Sequence, residues 1–435
     1  MALSRKTLAA FALPALPLTG MYFPVYVFLG PFYAQDYGLS LAFIGTAFLL
    51  IRLFDAVSDP MMGIVSDRLR TPFGRRRVWL VLGLPVVMGA VWFLFVPGEE
   101  TGEGRFFLLL LALTLGWTVM LTPYFAWAAE LSGDYAERGR IAVWRDTVGL
   151  IGTIVAAVLY GLGATSGEGM RNAALLVVLL LPVAVALCVR YVPEPADRTR
   201  SAASFASLFA IIRSDRRFTR LLLAYFLNGC ANALPAALFL FYVEARLEAP
   251  GWGPGLLILY FGAGVLAAPL WIALVRRYDK ARIWSIAMIW AAGVFAFASV
   301  LGPGDILWFV AICVLSGAAL GADLSLPSAL QADLVDVDTA RSGEQRTGQF
   351  FALWSLVTKA ALAVAGGVAL IVLEQGLGFD ADGQNDASVT FGLALLYGLA
   401  PVVLKLLAVS VMWSFGLSRD EQARTRAELD GTQDP

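Results

Sequence analysis

Residues 51 to 77 read IRLFDAVSDPMMGIVSDRLRTPFGRRR, an apolar segment that carries charges in its interior and ends in a run of arginines. On a helix, Arg52, Asp55 and Asp59 stand at i, i+3 and i+7 and project from one face, so two carboxylates and a guanidinium share one small volume. Counted from Ser40, Asp55 lies about 22 Å along such a helix, well inside a hydrocarbon core of about 30 Å, and Asp59 lies deeper. Ionisable groups at that depth are costly and face a protein interior or an aqueous cavity, where they pair with other charges or with ions. The plainer alternative, in which both carboxylates reach out to the interface and Arg52 merely neutralises one of them, suits the long stems of Lys and Arg better than a short Asp. Paired carboxylate oxygens are hard ligands, so the pattern reads as a monovalent cation site completed by hydroxyls and carbonyls. A proton is the alternative ion, because two neighbouring carboxylates in a low dielectric resist being ionised together.

The elements that must position these groups are membrane spans. The chain has 435 residues, 59% of them hydrophobic and 15% charged, with a mean hydropathy of +0.74, which no ordinary soluble domain shows. Apolar windows near 10–34, 41–66, 78–97, 106–131, 141–165, 172–193, 219–246, 254–277, 281–301, 305–332, 347–374 and 389–417 predict twelve transmembrane helices in an all-α membrane protein embedded in a lipid bilayer. Histidine is absent, which removes His-based triads, His-ligated metals and His proton relays. The cysteines Cys188, Cys230 and Cys313 are isolated in apolar runs and read as small core residues. No nucleophile with its base and no clustered ligand set is present, so a membrane enzyme is disfavoured and no cofactor is expected. Nothing points to nucleic acid as a partner.

Of the 32 basic residues, 25 lie in alternate loops and the two flanking tails, which predicts that both termini are cytoplasmic. Pro and charge replace apolar sequence over 194–217, dividing an N-terminal six-helix bundle (1–193) from a C-terminal one (218–417), with a cytoplasmic tail at 418–435. Within the linker, Phe205, Leu208, Phe209 and Ile212 recur at helical spacing and suggest an amphipathic helix. The halves echo each other. The fourth and tenth spans each hold a Pro, then an acid–Leu pair (Glu130–Leu131, Asp333–Leu334), then a loop ending in arginine, as expected of parallel half-repeats. The arginine-rich loops at 67–77 and 276–282 occupy equivalent places. Positive-inside anchoring accounts for most of their charge, and a gate in which Asp67 or Glu130 pairs with a loop arginine is a secondary reading.

Further charges inside predicted spans are Arg145 and Asp146 in the fifth, Asp323 in the tenth, Lys359 in the eleventh and Lys405, a weaker candidate, in the twelfth. Asp323 could touch a substrate or pair with Arg145, and Lys359 needs a carboxylate or a solvent-filled cavity.

RLFDAVSDPMMG followed by GRRR, then TPYFAWAAELSGDYAERGR, then ADLVDVD with Thr358–Lys359 downstream, resembles the glycoside-pentoside-hexuronide cation symporters of the major facilitator superfamily over nearly the whole chain. The resemblance implies the major facilitator fold, sodium as coupling ion, Asp55 and Asp59 as its carboxylate ligands and Thr118 as a further ligand. It also implies coupling or substrate roles for Arg52, Arg145 and Lys359, with Asp323 available to the substrate. Sugar binding transfers poorly: where melibiose permeases have acids in the first and fourth spans, this sequence has Thr19 and Leu121. A less polar pocket, with Thr19, Leu121, Tyr124, Trp127 and Ser355 as its expected lining, favours an amphipathic substrate such as a lysophospholipid, the substrate of one branch of the family. A sugar or glycoside is the alternative. The expected molecule is a sodium-coupled monomeric symporter of a bacterial inner membrane, working by alternating access. A non-transporting receptor is disfavoured because the Asp pair is intact.

Overall fold

The computed structural model describes residues 3–99, 101–132, 135–194, 215–275, 277–342, 347–381, 383–413, 415–417, 421–422 and 424–425. Among them every regular element is helical. Among the described residues, twelve helices are long and apolar enough to cross a membrane: α1 Arg5–Val27, α2 Leu41–Arg68, α3 Arg77–Phe95, α4 Glu103–Ala128, α5 Arg140–Gly161, α6 Ser166–Tyr191, α7 Arg216–Arg246, α8 Gly253–Val275, α9 Lys280–Ser299, α10 Ile306–Arg341, α11 Leu353–Gly376 and α12 Ala387–Met412. Large apolar side chains such as Leu53, Leu266 and Trp308 stand exposed on them, as a lipid-facing surface requires.

Local chemistry fixes several of the ends. Ser40 Oγ accepts from the Phe43 amide at the start of α2, and Thr165 Oγ1 accepts from the Glu168 amide at the start of α6. Glu168 reaches back to the Ala164 amide, a variant of the capping box shifted by one residue. Asp215 Oδ1 caps α7 by accepting from the amides of Arg217 and Phe218. The spans differ from the hydropathy windows where helix and apolar stretch do not coincide. The first span starts earlier, at Arg5, and is interrupted at Leu13–Pro14. The tenth helix runs on through Asp333, Asp336 and Asp338 to Ser342, because hydropathy reports lipid contact and not where hydrogen bonding stops.

The chain forms two compact units, Met1–Arg200 with Ala381–Gly383, and Ser201–Asp380 with Gln384–Pro435. In the first, α1 packs on α5 and α6, α2 on α4, and α3 on α4 and α6. In the second, α7 packs on α11 and α12, α8 on α10, and α9 on α10 and α12, which is the same set of pairings six spans later. Close approaches are made at glycines. A Cβ at Gly152 of α5 would lie 2.1 Å from the Leu16 carbonyl oxygen of α1, and one at Gly317 of α10 would lie 2.4 Å from the Tyr260 carbonyl oxygen of α8. The three cysteines are free and buried, as core residues should be. Residues 195–214, which hold the expected amphipathic helix, lie outside the described residues, as does most of the tail.

Candidate cation site and its charged surroundings

Helix α2 is continuous past Pro60, so the i, i+3, i+7 register is realised. Asp55, whose side chain is 3% exposed, sits with Oδ2 2.7 Å from Arg52 Nη1. Helix α4 brings Thr118 against the pair: its hydroxyl donates to Asp59 Oδ1 at 3.0 Å and faces Asp55 Oδ1 at 3.4 Å. Asp55, Asp59, Thr118 and Arg52, expected from two distant stretches of sequence, therefore form one cluster. Ser58 lies between the two aspartates in sequence on the same helix, and its Oγ is buried without a hydrogen-bond partner. Two carboxylates and a hydroxyl fit a small hard monovalent ion. Among the described residues no group of three or more His, Cys, Asp or Glu side chains gathers as a transition-metal site would need.

Arg52 is held from several sides. Its Nη2 donates to the Tyr22 hydroxyl at 2.6 Å, and its Cζ lies 5.4 and 5.1 Å from the ring centres of Tyr22 and Tyr26. The Tyr22 ring rests 4.7 Å from that of Trp117.

At the end of α2 the arginine-rich loop folds back. Arg76, 1% exposed, bonds Glu130 through Nε at 3.0 Å and Nη2 at 2.6 Å, Asp67 at 2.6 Å and Ser66 at 3.0 Å. Arg75 adds a second cation 2.8 Å from Glu130, and the Arg76 amide donates to Glu194. Burial pushes the Glu130 carboxyl up, but the hydrogen bonds and charges of Arg76 and Arg75 outweigh it and hold it below the usual range. Burial likewise pulls Arg76 down, and Glu130 and Asp67 raise it past its ordinary value. Both acids named as partners of a loop arginine are paired with one. The second unit repeats the device, with Lys280 Nζ 2.8 and 2.6 Å from the two oxygens of Asp333, which also accepts from Gln422.

Asp323 has its partners within its own unit: Lys405 Nζ at 3.0 Å, Trp284 Nε1 at 2.9 Å and Asn232 Nδ2 at 3.3 Å. Lys405 also donates to Asn228 Oδ1 at 2.7 Å. This buried network gives Lys405 its partners and supplies Asp323 with a counter-ion other than Arg145. Arg145 pairs with Asp146 at 2.8 Å and lies 4.4 Å from the Phe125 ring centre. Lys359 is partly buried on α11 beside Thr358, whose hydroxyl bonds Tyr225 at 3.1 Å.

Two of the expected lining residues are core instead. Tyr124 is buried, donates to the Phe11 carbonyl and stacks on the Phe11 ring at 4.7 Å. Trp127 is fully buried and donates to the Pro193 carbonyl at 3.0 Å. An aromatic near a functional span fills the bundle as readily as it lines a pocket. Thr19 and Ser355 are exposed and Leu121 is half-buried. Residues not singled out from the sequence are Ser58, Tyr22, Tyr26, Asn228 and Asn232; for Tyr22 and Tyr26 the i, i+4 spacing was the available signal.

Twelve apolar spans in two units of repeated pairing, with buried carboxylates inside them, define a multi-pass membrane transporter. The chain belongs to the MFS/sugar transport protein family, whose model matches residues 10–419. It is 26% identical to the inner membrane symporter YicJ of Escherichia coli (strain K12), over 87% of this chain and 85% of that protein. It is 23% identical to the sodium-dependent lysophosphatidylcholine symporter 1 of Homo sapiens, over 93% of this chain and 80% of that one. The crystal structure of the nucleoside transporter NupG shares the fold, with a TM-score of 0.69 at 14% identity, covering 93% of this chain and 98% of that one.

Proposed function

We propose that the protein is a cation-coupled symporter that uses sodium and carries an amphipathic organic solute by alternating access. One observation carries the coupling: Thr118 of α4 bridges the Asp55–Asp59 pair of α2 deep in the first unit. Coupling requires that empty and fully loaded carriers interconvert while partly loaded ones are held back, and a bound monovalent ion alters the charge that the rearranging bundle carries. Thr19 and Leu121 offer a galactoside no carboxylate, which favours a substrate with an apolar portion, such as a lysophospholipid, over a sugar. The names of relatives, which include a sodium-dependent lysophosphatidylcholine symporter, support this reading, and the family description keeps a sugar as the second. Arg145 and Lys359 are assigned to the substrate or to coupling. An inner-membrane location, with both termini cytoplasmic and the protein monomeric, completes the proposal, and no enzymatic step or bound cofactor is part of it.

The test is thermal unfolding of detergent-purified protein in sodium against choline, crossed with lysophosphatidylcholine, a galactoside and a glucuronide. A ligand stabilises the state that binds it, so sodium should raise the melting temperature and one compound should enlarge the shift. Asp55→Asn and Asp59→Asn should each abolish both the sodium shift and sodium-driven uptake while remaining monodisperse. Wild-type accumulation in both variants would defeat the reading, and a shift produced by acid but not by sodium would make the pair a proton site.

A further inference from the structure

Asp323 of α10 is bonded from three other helices of the second unit. Its Oδ1 accepts from Trp284 Nε1 of α9 at 2.9 Å, and its Oδ2 accepts from Lys405 Nζ of α12 at 3.0 Å and from Asn232 Nδ2 of α7 at 3.3 Å. The Lys405 ammonium is held by two oxygens, since it also donates to Asn228 Oδ1 of α7 at 2.7 Å. Trp284 is fully buried, Asn228 is 2% exposed, and the side chains of Asp323 and Lys405 are each 7% exposed.

A carboxylate oxygen beside an amide oxygen is the kind of ligand set that a hard monovalent cation takes. Here the set holds an ammonium, a compact point charge with three donors that is closer to a simple ion than a guanidinium is. Joining helices does not by itself call for charge, because well-packed apolar side chains of similar volume often stabilise a protein as well as a buried ion pair does. The internal repeat supplies another reason for it. Aligning the acid–Leu pairs sets Glu130 on Asp333, and so sets Thr118, the α4 residue that meets Asp55 and Asp59, opposite Gly321, two residues before Asp323. Both units therefore gather carboxylate oxygens near equivalent positions of their fourth helix. We infer that the second unit contains a monovalent-cation site of its own whose occupant is built into the chain: the Lys405 ammonium fills the place that a free ion would take beside Asp323 and Asn228. Lys405 neutralises Asp323, so this centre adds no diffusible ion to the transport cycle. The inference goes beyond the proposed sodium site of the first unit and does not depend on it.

The experiment removes the built-in cation and offers a free one. Wild type, Lys405→Ala and the double variant Lys405→Ala/Asp323→Asn are purified in detergent, and their thermal unfolding is followed in choline, ammonium and methylammonium chlorides at constant ionic strength. Ammonium and methylammonium reproduce the N–H donors of Lys405, whereas the quaternary nitrogen of choline carries none. Lys405→Ala should melt about 2 °C or more higher in either of them than in choline, with a saturable dose dependence, as a ligand that binds the folded state requires. Wild type should show no such difference because the place is filled, and the double variant should show none because the anion is gone. No shift in Lys405→Ala, a shift that survives Asp323→Asn, or an equal shift in wild type overturns the inference. If Lys405→Ala is not folded in choline, the readout is the yield of monodisperse protein solubilised and purified throughout in methylammonium, and a yield no better than in choline overturns it. The sodium titration of wild type reports separately on Asp55 and Asp59, so each reading can fail without the other.

Discussion

At the scale of single residues, the cluster depends on a hydroxyl as much as on charge. Thr118 donates to Asp59, and in the proposed site its oxygen is the one that the second helix offers to the ion. Thr118→Val keeps the volume and loses both. The concentration of sodium giving half the thermal shift should rise about tenfold, the lower end of what one hydrogen bond to a charged group contributes, and Thr118→Ser should restore it. An unchanged titration in Thr118→Val would remove the residue from the site. Asp55, Asp59 and Arg52 are legible in the sequence because they share one helix, and helical periodicity alone brings them together. Thr118 stands on another helix and is found only through resemblance to related chains. Ser58 is not legible at all: a hydroxyl inside a helix commonly bonds its own preceding turn, and only the structure shows that this one does not.

At the scale of elements, α7, α9, α10 and α12 are tied by the network around Asp323. Asp323 and Lys405 side chains are each 7% exposed, with Asn228, Asn232 and Trp284 satisfying their remaining positions. Removing one charge from a buried pair strands the other, at a cost of about 3 kcal/mol or more, whereas removing both is far less disruptive. Asp323→Asn and Lys405→Met should each lower the melting temperature of the purified protein, and the double variant should recover most of the loss. Melting temperatures that fall additively in the double variant would show that the two groups act separately. The sequence displayed every one of these charges, but not their pairing. Spans locate themselves by hydropathy, whereas the rotation of each helix, and so the partner that each charge meets, is decided by packing at contacts such as Gly152 on Leu16 and Gly317 on Tyr260. For the same reason Tyr124 and Trp127 looked like pocket residues and are core.

At the scale of the molecule, each unit joins the start of its third helix to its fourth by an ion pair, Arg76 to Glu130 at the end of α4 in one and Lys280 to Asp333 within α10 in the other. The repeated acid–Leu pairs and basic loops make this symmetry readable in the sequence, since the basic partner of each pair lies in or beside a loop at the start of a helix. The first pair has a pH signature. Arg76 and Arg75 hold the Glu130 carboxyl below its ordinary value of 4.5. A lowered carboxylate contributes stability that is fully present above the unfolded value and is lost as pH falls through the folded one. Wild type should therefore keep the contribution at neutral pH and lose it progressively below about pH 4.5. Glu130→Gln should be less stable than wild type by about 2 kcal/mol at pH 7, the scale of hydrogen bonds to a charged group, and the two melting curves should converge as the pH is lowered. Curves that stay parallel from neutral to acid pH would mean that the Glu130 charge does not hold this end of the bundle together, and would leave the Asp67–Arg76 bond to do so.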